Sequence, residues 1–224
     1  MTLQAQPAFT WYVPETPGGE TLTFQLIQTH VEKDEQVLYE KKFQLDGTAG
    51  VMHLPLTEMG NTPTLEKDEQ YVWTVVLDCN PQGNGAGRLV LKSSIVRIEA
   101  DQDLMTQIQN AKSPLSQAEL YASHGFWPDI LGLMLKERMI QADSPVDQQI
   151  VEARLKELLA SVGLEFFAEQ PMMQTYDQPG HSYQPLEDRP STWISNRKEP
   201  PQIAAITHWA GCSGGPATAV YADS

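Results

Sequence analysis

The chain has 224 residues and carries 15 Lys and Arg against 29 Asp and Glu, a formal net charge of −14 with a pI of about 4.6. A phosphate-binding domain needs a basic face, so this balance excludes most nucleic-acid functions; residues 1–100 hold 13 acids and 7 bases, so the acidity is not confined to a tail. At 41% hydrophobic content the chain buries a core in one domain or two small ones, and its apolar runs are too short to span a bilayer.

Residues 8 to about 99 read as β structure. Strand-like runs recur at Phe9–Val13, Leu22–Thr29, Gln36–Leu45, Gly50–Leu56, Gln70–Asp78 and Leu89–Ile98, separated by turn-formers such as Pro14-Glu-Thr-Pro-Gly-Gly19, Asp46-Gly47 and Gly60-Asn61. Leu22, Phe24 and Leu26 share one face of their run, with Thr21, Thr23 and Gln25 on the other. Short strands at this spacing with no helix between them favour an antiparallel two-sheet sandwich of the Ig/fibronectin-like kind.

After Ile98 the period lengthens. Leu104, Ile108 and Ala111 fall on one helical face, and Ser113-Pro114 supplies a cap followed by proline in the first turn. Leu115, Ala118 and Tyr121 or Ala122 form the next stripe, ending near Gly125. Trp127, Ile130, Leu131, Met134 and Leu135 mark a third helix; Ser144-Pro145 opens a fourth, in which Val151, Leu155, Leu158 and Val162 line one side up to Gly163. Each stripe needs a partner, so the helices pack on one another or on the sandwich. From Pro171 onward, 7 of the 16 prolines crowd a segment without apolar period, which reads as irregular or disordered with docking through Trp193, Ile194, Ile203, Ile206 and Trp209. The expected organisation is therefore a β-sandwich over 1–99, a helical region over 100–169 and a tail over 170–224.

Cys79 and Cys212 are too few for a disulfide framework. One bridge between them would close a long loop, which an oxidising compartment permits and the sequence does not decide. The opening Met1-Thr-Leu-Gln-Ala-Gln-Pro-Ala has neither a charged start nor an apolar core, so no signal peptide is read in the chain as it stands. That leaves a cytosolic protein, or one whose leader has been trimmed or whose start is misplaced.

Candidate chemistry is sparse. Gly211-Cys-Ser-Gly-Gly-Pro216 is one substitution from the nucleophile motif of chymotrypsin-like proteases, which would make Ser213 the attacking group. No histidine segment of the matching kind exists, and the β region is about half of what two barrels need, so a small-residue turn is the preferred reading. Gly83-Asn-Gly-Ala-Gly87 precedes a strand instead of a helix, which makes it a hairpin loop and no phosphate cradle. His208 and Cys212 form one weak pair, with His181 and Cys79 far away, short of a tetrahedral zinc set. His30, His53 and His124 stand singly and read as structural or surface residues. Asp34-Glu35 and Asp68-Glu69 read as solvated turn charges, since paired glycosidase carboxylates must face each other across a cleft. Trp11 and Trp73 are expected in the sandwich core, while Trp11, Tyr12 or Tyr39 supply the alternative of a sugar-stacking platform. Ala118-Glu-Leu-Tyr121, Gly125 and Pro145 have the phrasing of one tetratricopeptide repeat, and the absence of a second copy favours a lone helical hairpin docked on the sandwich.

Taken together, Phe9-Thr-Trp-Tyr-Val-Pro14, Tyr71-Val-Trp73, Asp78-Cys-Asn-Pro81, Ile95-Val-Arg97, Tyr121-Ala122, Gly125-Phe-Trp-Pro-Asp-Ile-Leu131 and Ser161-Val-Gly-Leu164 resemble a cyanobacterial domain-of-unknown-function family. The resemblance runs from about Phe9 to Leu164. Ser94 and Leu155 stand where that family tends to have tryptophan, and Pro128 where tyrosine is usual. The resemblance implies export to the periplasm or beyond, and it implies no reaction.

The expectation is thus an α+β chain with no catalytic residues, metal or cofactor, acting as a protein-interaction module of the cell envelope through the sandwich edge or a helical groove. Its protein partner is unidentified, and neither nucleic acid nor a membrane span is expected. The alternatives are a carbohydrate-binding sandwich and, third, a hydrolase using Ser213.

Overall fold

A computed structural model describes residues 1–30, 33–58, 60, 62–79, 87–140, 145–161 and 163–173. All but the first residues of the expected tail, including Trp193, Ile194, Ile203, Ile206, Trp209, His181, His208 and Ser213, lie outside the described residues.

The chain forms strands β1 (Ala8–Val13), β2 (Thr21–His30), β3 (Lys33–Gln44), β4 (Gly50–Pro55), β5 (Gln70–Asp78) and β6 (Arg88–Val96), with a 3-10 turn at Leu56–Glu58. Each corresponds to a run expected from periodicity. β1 pairs with β4 in a two-stranded sheet, and the other four form a sheet of order β3-β2-β5-β6; all these pairings are antiparallel. One expectation is corrected: Asp34-Glu35 lies within β3, not in a turn, because β3 stays paired to β2 through register shifts at Leu26/Ile27 and Gln28/His30. β3 is an edge strand, where charged residues are tolerated and discourage pairing with other chains.

Alternation along the strands builds the first core. Phe9, Trp11 and Val13 of β1 and Met52 and Leu54 of β4 face Leu22, Phe24 and Leu26 of β2, Phe43 of β3, and Tyr71, Trp73, Val75 and Leu77 of β5. Trp11 lies at the centre, its ring stacked on Phe24 with centroids 5.6 Å apart and tilted against Phe43 and Trp73 at 6.4 Å each.

Five helices follow: α1 (Gln102–Asn110), α2 (Pro114–Ser123), α3 (Trp127–Ile140), α4 (Pro145–Ala160) and the short α5 (Glu165–Glu169), the last absent from the sequence reading. Ser113 caps α2 as expected, its hydroxyl accepting from Ser116 N at 3.2 Å with Pro114 following; Asp101 does the same for α1, accepting from Leu104 N at 2.7 Å. α4 ends in paired return bonds, Gly163 N to Ala160 O and Leu164 N to Leu159 O, with Gly163 at φ +71°.

The helices build a second core from Leu104, Ile108, Ala118, Tyr121, Ile130, Met134, Leu135, Val151, Leu155, Leu159 and Phe167. It also takes in Val51 and half-buried Tyr12, from the face of the β1–β4 sheet turned away from the first core. α3 lies against this face, where Gly132 brings it so close that an added Cβ would sit 3.3 Å from Ala8 Cβ. The two-stranded sheet is therefore the shared wall between an aromatic core and a helical one. The chain is α+β, an antiparallel β region followed by helices. No helix among the described residues is long and apolar enough to cross a membrane.

Candidate binding groove and buried polar sites

α1 and α2 turn their apolar residues inward and leave an open groove of about 520 Å³ between their outer sides, lined by Thr106, Gln107, Asn110, Ala111, Ser116, Glu119 and Leu120. Its shape follows from the turn between the helices: Ala111 N donates to Ile108 O at 3.3 Å, and Gln117 Nε2 reaches the same carbonyl at 3.4 Å. Glu119 on the rim pairs with Arg154 of α4, which also holds Glu157. Thr106 donates to Gln102 O, and Ser116 shares a hydrogen bond with Ser113. The Gln107 and Asn110 side chains have no hydrogen-bond partner among the described residues. Ala111 and Leu120 add a small apolar surface beside these amides. The lining suits recognition of a polar chain and offers no activated nucleophile.

A second polar site lies at the start of α3. Asp129 is only 5% exposed; its carboxylate accepts from Thr2 Oγ1 at 3.1 Å and from Leu3 N at 3.2 Å. Thr2, itself fully buried, accepts from Gln4 N and joins β6 through Thr2 N to Val96 O and Ile98 N to Thr2 O. Asp129 thus ties the N-terminal segment to both the sheet and α3. Burial pushes its carboxyl up to about 6, against the lowering effect of the Thr2 and Leu3 donors. Asp129 shares this burial with the 4%-exposed Glu20. Glu20 is held by Thr16 Oγ1 at 2.7 Å.

A third polar group sits between β4 and α3. His53 Nδ1 lies 3.2 Å from Thr10 Oγ1, its cross-strand partner. Burial, and after it the Lys136 ammonium of α3, hold its pKa down at about 4, so the imidazole is neutral at pH 7. This is the structural role expected of a lone strand histidine. His124 ends α2 and stacks on Phe126. These groups do not converge: Asp129, His53 and Glu20 occupy separate sites, and among the described residues no three of His, Cys, Asp and Glu are placed to hold a metal ion.

The expected core tryptophans are in the core, with Trp11 at 1% exposure and Trp73 also buried. Tyr12 is half-buried and packs edge-on against Phe166 at 4.9 Å, and half-buried Tyr39 packs against the first core. Of the three aromatics expected as a stacking alternative, Trp11 is closed to a ligand, while Tyr12 and Tyr39 keep part of their surface exposed. β5 and β6 pair antiparallel, as a hairpin at Gly83–Gly87 requires, and Cys79 N donates to Gly87 O at the neck; residues 80–86 lie outside the described residues. Asp68, at φ +61°, marks the expected turn before β5. Cys79 is disulfide-bonded. A helical groove was expected, but its lining residues and Asp129 were not singled out by sequence. For Asp129 the available signal was a single acid inside the apolar run Phe126-Trp-Pro-Asp-Ile-Leu131.

The sequence model of the family described as Domain of Unknown Function (DUF928) matches residues 1–172, which take in both sheets and all five helices. No curated protein and no solved structure matches the chain.

Proposed function

Starting from the DUF928 family, to which the chain belongs, we propose that the protein is a non-catalytic binding module of the cell envelope that receives an extended polar polypeptide in the groove between α1 and α2. The observation that carries this reading is the groove lining: the Gln107 and Asn110 amides have no hydrogen-bond partner among the described residues and stand beside Ala111 and Leu120, an arrangement suited to pairing with the amides of another main chain. The separation of Asp129, His53 and Glu20 supports a role without catalysis, since general acid–base or nucleophilic work needs such groups within hydrogen-bond reach of one another. Placement in the envelope rests on the resemblance to an exported family and on the disulfide-bonded state of Cys79, which is rare in reducing compartments.

The carbohydrate reading loses its main support with Trp11 in the core and Tyr12 and Tyr39 half-covered. The hydrolase reading has no observation in its favour, because Ser213 lies outside the described residues.

The test is a photo-crosslinking residue at position 110, compared with one at position 42 on the open face of the four-stranded sheet. In envelope fractions the groove position is expected to give one discrete adduct, at least tenfold stronger than the sheet control and lost on Gln107→Arg. Equal labelling at both positions, or no adduct at the groove, overturns the proposal.

A further inference from the structure

We infer that the free edge of β6 is a second binding surface, which takes an acidic extended strand of another protein by β-strand addition. The four-stranded sheet has two outer edges, and they differ. β3 shifts register against β2 at two places and carries Glu35, Glu40, Lys41 and Lys42 along its length, devices that turn an edge away from pairing. β6 keeps register with β5 from Gln70↔Val96 to Asp78↔Arg88 and holds no acid. No backbone bond among the described residues reaches its outer side between Arg88 and Ile95.

The chain already adds a residue of its own to the end of this edge. Thr2 N donates to Val96 O at 3.0 Å and Ile98 N to Thr2 O at 2.9 Å, a parallel bridge at Arg97. The N–H and C=O of one strand residue point to the same side, and the side alternates along the strand, so Val90, Lys92 and Ser94 turn theirs outward as Val96 does. An incoming strand meets these three in line. On its core side it lies beside half-buried Leu89 and buried Leu91 and Ile95, which favours apolar residues there. On its open side it meets Arg88, Lys92 and Val90, the last 61% exposed.

The open side sets the partner's charge. Register lines up Glu40, Gln25, Thr74 and Lys92 across the sheet; Gln25 Nε2 donates to Glu40 Oε2 at 2.6 Å, and Glu40 meets Lys42 at 3.5 Å. The row begins at an ion pair and ends on Lys92, whose ammonium has no partner among the described residues. A carboxylate on the added strand completes the row, and Arg88 on the same face receives another. A second copy is a poorer occupant: its β6 would bring a second Arg88 and Lys92 to the edge, and its β3 would bring Lys41 and Lys42. The net charge of −14 opposes an acidic partner at long range, so main-chain bonds carry the affinity while Lys92 and Arg88 select the side chains. The inference is independent of the groove reading: loss of either leaves the other standing.

The test uses the full chain and two capped peptides the length of β6, one alternating glutamate with valine and one alternating lysine with valine. Fluorescence anisotropy reads the affinity, and amide exchange reads the site. The glutamate peptide is expected to bind at least tenfold tighter than the lysine peptide and to slow exchange at Val90, Lys92 and Ser94. Lys92→Glu, a change at an exposed side chain, is expected to reverse the preference between the peptides. Val90→Pro removes one outward N–H and no bond to β5, and is expected to weaken binding at least tenfold. Equal affinity for the two peptides, no binding of either, protection confined to the α1–α2 groove, or a dimer of the chain protected at the same three amides overturns the inference.

Discussion

The β1–β4 sheet has an aromatic core on one side and a helical, mainly aliphatic core on the other, and the two are held differently. On the first side Phe9, Trp11, Phe24, Phe43 and Trp73 interlock through ring contacts 5.0–6.4 Å apart, contributed by strands far apart in the sequence. On the second side Leu104, Ile108, Ile130, Met134, Leu135, Leu155 and Leu159 come from helices joined by short turns. Rigid rings in a two-sheet core cannot close over a void, whereas neighbouring helices can shift to fill one. The difference teaches that the β side sets the geometry and the helical side adapts to it, and the adaptable side carries the groove.

The comparison is broken most strongly at Trp11. Trp11→Ala should cost about 4 kcal/mol, while Leu159→Ala in the helical core should cost about 3 kcal/mol because the helices partly collapse. Trp11→Phe should cost far less than Trp11→Ala, since the indole Nε1 is buried without a hydrogen-bond partner among the described residues and its removal relieves that orphan. Urea unfolding of the three variants measures this; a Trp11→Ala effect smaller than that of Leu159→Ala would reverse the assignment of the rigid side.

On the helical side, two groups beside α3 respond to acid with opposite signs. Asp129 has a folded pKa of about 6 against 3.8 unfolded, so between these values the native state holds more protons, and stability falls as pH rises, by about 3 kcal/mol in all. His53 has a folded pKa of about 4 against 6.5, so the unfolded state holds more protons, and stability is lost as pH falls through that window. Its partial exposure reduces this to about 2–3 kcal/mol. The two slopes oppose one another, and their contributions largely cancel between pH 4 and 6. Asp129→Asn should expose a stability that climbs with pH, and His53→Gln one that declines. Denaturant midpoints at pH 4.5 and 6.5 decide the matter; single variants running parallel to the parent would remove both groups from the account.

How legible the molecule was follows the same division. The strands were readable because Leu22, Phe24 and Leu26, or Tyr71, Trp73, Val75 and Leu77, repeat at period two with one face buried. Helix starts were readable where the cap is local, as at Ser113-Pro114. The stripe on α4 was displaced: Val151 and Leu155 are buried as expected, but Leu159 completes the row and Leu158 is half-buried, a one-residue drift that a 3.6-residue period allows. Asp129 was hidden because its partner Thr2 is 127 positions away, so no local pattern distinguishes it from a solvated acid. The groove lining was hidden for the converse reason: Thr106, Gln107, Asn110 and Ser116 are polar residues on outer helix faces, which periodicity assigns to water.

The smallest effects sharpen the comparison at two glycines that share a left-handed backbone and differ in surroundings. Gly47, at φ +96°, joins β3 to β4, and an added Cβ would lie 2.7 Å from Thr16 O, a carbonyl fixed by the neighbouring loop, where Thr16 N bonds Gly47 O. Gly163, at φ +71°, ends α4 with open space where a Cβ would stand. Gly47→Ala must absorb both the unfavourable backbone and a clash with another backbone, so about 2 kcal/mol or more is expected. Gly163→Ala meets only the backbone penalty, about 1 kcal/mol. Because the two loops meet at Thr16, the first substitution should also speed amide exchange at Thr16 and Gly19, whereas the second should leave exchange in the β region unchanged. Equal losses at the two glycines would mean that the Thr16 loop yields, and the β side would then be no more rigid than the helical one.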